Sequence, residues 1–390
     1  MKTWIVALLA LMLVACAAAP TAPSRPPQGI LNDQLFDGPS TYVGAEDVFA
    51  LSDEMRRFLR VDIADELNVK GTRQGLFDAL YSQGQLKLEY DTLVTKNAAE
   101  AFATRSGNCL SLVIMTAAFA KELNLPVRFQ RAASGEVWSR SGNVQYYIGH
   151  VNLSLGVKYS DSVFQRASTD QMTIDFLPPA ETRGMSSRVV DEKTIVAMYM
   201  NNRAAESFAL GNMTDAYWWA RGAILQNAQF VSSYNTLGVV YQRTGHLREA
   251  EAALTHALER EPDNTRVISN LASVLAAEGR VQESLALSAK LDLLEPDPPF
   301  RYLNLGMAAL QKGDYRAAHD NFAREVARAP FNGEFHYWLA VADVGLGETE
   351  SARWELARAL EYSSTQKDHE LYAAKLARIR QASSAVNRTP

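Results

Sequence analysis

The chain has 390 residues, 47% apolar and 21% charged, which is enough to bury more than one core and excludes disorder throughout. A formal charge of −5 with no basic run excludes a large nucleic-acid footprint, because phosphate binding needs clustered Lys and Arg. Two cysteines exclude a disulfide scaffold and six scattered histidines argue against a metal-rich protein, so function must rest on a few specific residues.

Residues 1–15 carry one cation, Lys2, then an apolar stretch from Trp4 to Val14. This is the pattern of a secretory signal, and it is too short to span a bilayer. The stretch ends in Leu13-Val14-Ala15-Cys16, which resembles the lipobox of bacterial lipoproteins. The resemblance implies removal of residues 1–15, acylation of the Cys16 thiol, and, with Ala17 rather than Asp, an outer-membrane anchor facing the periplasm. Residues 16–40 open Ala/Pro/Ser-rich and show no periodicity, so they read as a flexible lipidated tether.

The segment 41–190 has the size of a domain and holds one cysteine and one histidine. Helices are predicted from Glu54, from Gly75 and over Thr95 to Thr104. After Arg105-Ser-Gly-Asn-Cys109, the spacing of Leu110, Val113, Ile114, Ala117, Ala118 and Leu123 predicts an apolar helix stopped at Pro126, with Asn108 as N-cap. Cys109 then falls in the first turn, where unpaired N–H groups and the helix dipole favour a thiolate. Tyr147 to Leu155 reads as a strand with Val151, Leu153 and Leu155 on one face and His150, Asn152 and Ser154 on the other. Met172 to Leu177 reads as a second strand with Asp175 turned away from Met172, Ile174 and Phe176. Antiparallel pairing with His150 opposite Asp175 puts Leu155 opposite Asp170 and the turn near Tyr159 to Ser168. Asp161 and Asp170 are the rival carboxylates, both in or beside that turn.

Cysteine, histidine and carboxylate on helix, strand and neighbouring strand form the constellation of nucleophilic acyl transfer. Arg105-x-Gly107-Asn-Cys109, Leu123-Asn-Leu-Pro-Val127, Gly149-His150-Val151 and Ile174-Asp175 resemble the core of the transglutaminase-like cysteine proteinase superfamily over roughly 95–180. The resemblance implies an α+β papain-like domain with Cys109 as nucleophile, His150 as general base and acid, and Asp175 orienting the imidazole. The Cys109 N–H is a candidate oxyanion donor, Trp138 a candidate groove residue, and Arg105 a support for the approach to the helix. No acidic cluster has calcium-ligand spacing, and no metal or other cofactor is expected.

Gly211, Gly245, Gly279, Gly313 and Gly347 recur every 34 residues, and Pro262, Pro296 and Pro330 keep the same period. With Tyr234, Leu237, Gly238, Tyr241, Ala250, Leu254 and Ala257, the pattern resembles tetratricopeptide repeats: five units over 197–366 in an all-α solenoid, then a capping helix and tail over 367–390. Ala228 takes the proline place in the first unit; Ser364 does so in the last, where Asp343 stands at a position that is usually aromatic. Leu371, Leu376 and Ile379 are available to cover the last unit. The resemblance places Ser232, Asn235, Val239, Gln242 and Arg243 on a peptide-binding surface. The histidines of this half lack paired metal-ligand spacing. The combined expectation is a lipid-anchored periplasmic thiol peptidase or amidase whose repeats recruit a protein substrate or partner. The alternatives are a transglutaminase-type acyl transferase and a non-catalytic cell-envelope adaptor.

Overall fold

The computed structural model describes residues 25–82, 88–90, 94–132, 137–141, 144–157, 171–177, 182, 185–363 and 365–386. The expected signal and Cys16 lie outside the described residues, as do Asp161, Asp170 and the turn between the two site strands. Among the described residues no helix is long and apolar enough to cross a membrane.

Short local signals build the first part. The α1 helix (Asp53–Arg57) is capped by Ser52, whose hydroxyl accepts the Met55 N–H, and widens into a π turn through Asp62. Gly71, at φ 80°, separates α2 (Ala64–Lys70) from α3 (Thr72–Phe77). Strand β1 (Glu89–Tyr90) runs parallel to β2 (Ser106–Gly107), with α4 (Ala98–Thr104) between them in sequence. Asn97 and Glu100 cap α4 reciprocally, and Arg105 ends it in the left-handed region at φ 52°. That turn aims the chain into α5 (Cys109–Glu122), buried continuously from Cys109 to Ala120. A helix apolar on all sides needs cover on all sides.

Part of the cover is a four-stranded antiparallel sheet of β3 (Val127–Ala132), β6 (Val151–Leu155), β7 (Met172–Ile174) and β8 (Ser187–Val190), in the order β7-β6-β3-β8. Val151, Leu153 and Leu155 are fully buried on the face that meets α5, as alternation requires. Between β3 and β6 a hairpin of β4 (Val137–Ser141) and β5 (Val144–Ile148) is described in backbone only.

The second part is a row of five antiparallel helix pairs. These are α6 (Glu192–Ala209) with α7 (Met213–Gln226), α8 (Val231–Arg243) with α9 (Leu247–Arg260), and α10 (Thr265–Ala277) with α11 (Val281–Leu294). Then come α12 (Arg301–Gln311) with α13 (Tyr315–Arg328) and α14 (Gly333–Leu346) with α15 (Thr349–Glu361), closed by α16 (Gln366–Val386). The five periodic glycines all take φ between 74° and 83° at the turn inside each pair, which only glycine adopts without strain. Gly238 has a second reason: a Cβ there would lie 2.5 Å from Leu254 Cγ, so its absence lets α8 and α9 close. The cap differs in detail from expectation. Leu371 is 38% exposed, and Tyr372, stacked on Tyr337, covers the last pair together with Leu376.

One hydrophobic core runs from Ile30 through α5 and the sheet to Leu275 in α10. Buried packing lapses over α11, none of whose residues is buried, and resumes in a separate core from Phe300. The element boundary near Asp191 is therefore not a boundary between cores.

The tether expected over 16–40 needs correction in its last third. Phe36 stacks on Tyr217 at 4.1 Å, Asp33 accepts from Tyr217 at 2.6 Å and pairs with Arg221 at 2.8 Å, and Trp218 donates to the Asp37 carbonyl. The Tyr241 hydroxyl donates to the Ile30 carbonyl at 2.9 Å and accepts the Asn32 N–H at 3.0 Å. A polar, Pro-rich composition does not show that aromatic shelves on distant helices await Phe36. Tyr241→Phe leaves the buried Ile30 carbonyl and the half-buried Asn32 N–H without their partner. It is expected to cost about 1–3 kcal/mol, read as a lowered denaturant midpoint together with faster proteolysis at residues 30–40.

Candidate active site

The approach to Cys109 is built from close contacts. A Cβ on Gly107 would lie 2.6 Å from Ser111 Cβ, so glycine is needed where the chain turns across the first turn of α5. Asn108 caps that turn: its Oδ1 accepts the Ser111 N–H and hydroxyl at 2.9 Å, and its Nδ2 donates to Thr95 Oγ1 at 2.9 Å. Thr95 is held in turn by α6: Asn202 donates to Oγ1 at 3.2 Å, Glu206 accepts the Thr95 N–H at 2.7 Å, and Arg203 donates to its carbonyl at 3.3 Å. The first helix pair thus braces the loop that braces the cysteine.

Cys109 is a free thiol, 3% exposed, at the first residue of α5. The fold brings His150 and Asp175 to it. His150 Nε2 lies 2.9 Å from the Asp175 carboxylate, which also accepts from Asn152 Nδ2 at 2.8 Å and from the Leu177 N–H at 3.0 Å. His150 Nδ1 is buried with no hydrogen-bond partner of its own, on a ring that also interacts with the Cys109 thiol. Burial alone would lower the His150 pKa, but the Asp175 and Cys109 side chains outweigh it and hold the ring up to about 9. Burial works against Asp175 ionisation too, yet the bonds from His150, Asn152 and Leu177 keep its carboxyl below the usual range. The arrangement sustains an imidazolium beside a thiol.

The strand register differs from expectation by two residues. Leu153 lies opposite Ile174 and Leu155 opposite Met172, so Asp175 continues opposite Asn152, with His150 as its diagonal neighbour. A shift of two keeps every side chain on its face, which is why the pair still meets. Asn152 was not singled out from sequence; its place two residues from His150 on the same face was the available signal.

A cleft of about 60 Å³ opens on Cys109, lined by Asn108, Arg131 and Gly149 and, from the helix pairs, by Met198, Asn201, Asn202, Phe230 and Ser232. Ser232, expected on the repeat surface, therefore also walls the cysteine cleft. Asn235 accepts from Asn270 at 2.8 Å and Gln242 donates to Ser273 at 2.8 Å, so both stand where α8 faces α10, while Arg243 is exposed. Trp138 falls in β4, opposite Tyr147, and its side chain lies outside the described residues. Arg105 is exposed at the end of α4.

Family models described as tetratricopeptide repeat match residues 243–305 and 303–368. The helix pairs within residues 243–368 are tetratricopeptide repeats. The Vi polysaccharide export protein VexE of Salmonella typhi is 25% identical over 148 residues, 37% of this chain; the chain spans about a quarter of that relative, 23% of its length. Among solved structures, a thermophilic TPR protein of Thermus thermophilus, TTC0263, is 18% identical (TM-score 0.29), covering 46% of this chain and 99% of its own. YrrB, a TPR protein with an unusual peptide-binding site, is 20% identical (TM-score 0.25), with 46% of this chain and 92% of its own covered. Pseudomonas aeruginosa pilF is 18% identical (TM-score 0.28), with 49% and 87% covered. Tetratricopeptide repeats are protein-binding modules, and the C-terminal part of this chain is one such solenoid.

Proposed function

We propose that the chain is a thiol-dependent acyl-transfer enzyme that hydrolyses an amide of a protein or peptide brought to it by its tetratricopeptide repeats, and that it is tethered through acylated Cys16 to the periplasmic side of the outer membrane. The observation that supports this reading best is the setting of His150: its Nε2 bonds Asp175, its buried Nδ1 has no other partner, and the helix-initial Cys109 is among the groups that hold the ring's proton. In this reading Cys109 Sγ attacks the carbonyl, His150 returns the proton to the leaving nitrogen, and water resolves the thioester by the reverse transfer. Asp175 holds the ring and its positive charge, and the Cys109 N–H is available to the developing oxyanion. The likeness to transglutaminase-like cysteine proteinases, with their papain-like fold, supports the same assignment.

A second reading, a non-catalytic adaptor that binds peptides, is favoured by two observations. The family matches cover the repeats alone, and Cys109 is nearly covered. Iodoacetamide labelling of Cys109 between pH 5 and 9 separates the readings. Fast labelling below pH 7 that is lost in His150→Ala supports the enzyme; labelling that tracks an ordinary thiol near pH 8.5, unchanged in the variant, supports the adaptor. Incorporation of an added primary amine into product would indicate transfer rather than hydrolysis.

A further inference from the structure

Asp343, the departure from the repeat pattern in the last unit, is 0% exposed on α14, and neither of its carboxylate oxygens has a partner in hydrogen-bond geometry. A buried carboxylate without full compensation is costly, so such a group calls for an explanation. The packing of α13 on α14 brings His319 to it. His319 Nε2 lies 3.5 Å from Asp343 Oδ1, while Nδ1 is 3.2 Å from the Asp320 carboxylate. With Nδ1–H donated to Asp320, the Nε2 lone pair faces Asp343, the arrangement by which an outer carboxylate orients a metal-binding imidazole. Just past the turn glycine, Glu348 brings a second carboxylate, and the three ligand atoms all lie within 4.8 Å of one another.

We propose that His319, Asp343 and Glu348 bind one divalent transition-metal ion of the zinc class, linking the fourth repeat to the fifth. Two ligands each about 2.0–2.2 Å from a tetrahedral ion lie roughly 3.4 Å apart, so the His319–Asp343 separation fits an ion between them. One imidazole and two carboxylates suit zinc and its neighbours better than calcium, which asks for six or more oxygens. Glu348 also pairs with Arg316 at 3.4 Å, but both side chains are well exposed and such a pair holds weakly, so the carboxylate can turn inward. Three protein ligands leave a fourth position for water or for a carboxylate of a bound partner.

The test is a Co²⁺ titration, followed by Zn²⁺ competition, of the full chain carrying Cys16→Ser and Cys109→Ser, which removes both competing thiols. One equivalent of Co²⁺ should bind with the visible absorption of a four- or five-coordinate site and be displaced by Zn²⁺, and Zn²⁺ should raise the melting midpoint of the repeats. His319→Ala and Asp343→Asn should each weaken binding by at least about 100-fold and Glu348→Gln by about tenfold, with the exposed His369→Ala unchanged. Should Asp343→Asn unfold the repeats, the variants at half-buried His319 and exposed Glu348 decide the matter. No saturable binding, or binding indifferent to His319 and Glu348, overturns the proposal.

Discussion

Asp175→Asn is expected to slow iodoacetamide alkylation of Cys109 at pH 6 by about 100-fold, toward the rate of an ordinary thiol. The substitution keeps shape: an asparagine oxygen can still accept from Asn152 or from the Leu177 N–H, so the strand ends stay in place. What it removes is the charge that offsets the burial of His150. With that charge gone, desolvation governs, the ring loses its proton at lower pH, and no imidazolium stands beside the thiol. Stability should follow with a definite sign. A histidine held up to about 9 contributes stability that is full below its unfolded value of about 6.5 and is lost as pH rises through 9. A depressed carboxyl contributes above its unfolded value of about 3.9 and loses that contribution as pH falls. The advantage of the natural chain over the variant should therefore be full between about pH 4 and 6.5 and fade toward pH 9, as measured by urea unfolding across that range.

Gly238→Val is expected to destabilise the protein by about 3 kcal/mol or more, because the new side chain meets Leu254 at a closed helix crossing. Its reach is the informative part. Leu254, against which Gly238 packs, belongs to the core that contains Cys109, so the loss should appear both in the melting midpoint of the first part and as increased labelling of Cys109 by opening. Gly306→Val, whose Cβ would strike Phe322 in the separate core, should lower the melting of the later repeats and leave Cys109 labelling as it was. Equal effects of both variants on Cys109 would show that the two cores unfold as one.

The repeats were legible because their constraints are local. A glycine at each turn, small residues at each crossing and a fixed period of 34 are properties of neighbouring residues, and φ near +80° at all five turns is the reason that glycine recurs there. The helix that carries Cys109 was legible for the same reason: Asn108 caps the turn it precedes. The meeting of His150 with Asp175 survived an error of two in register, since side-chain faces repeat every second residue.

Long-range choices were another matter. Nothing near Cys109 in sequence announces that Asn201, Asn202, Phe230 and Ser232 wall its cleft, that Phe36 is held by Tyr217, or that Tyr372 rather than Leu371 covers the last repeat. His319 and Asp343 have no ligand spacing along the chain and come together only through the stacking of α13 on α14. Periodicity, caps and turn glycines are decided within a few residues of the chain. Which faces then meet is decided by the burial of apolar surface, which is indifferent to the separation of residues in sequence.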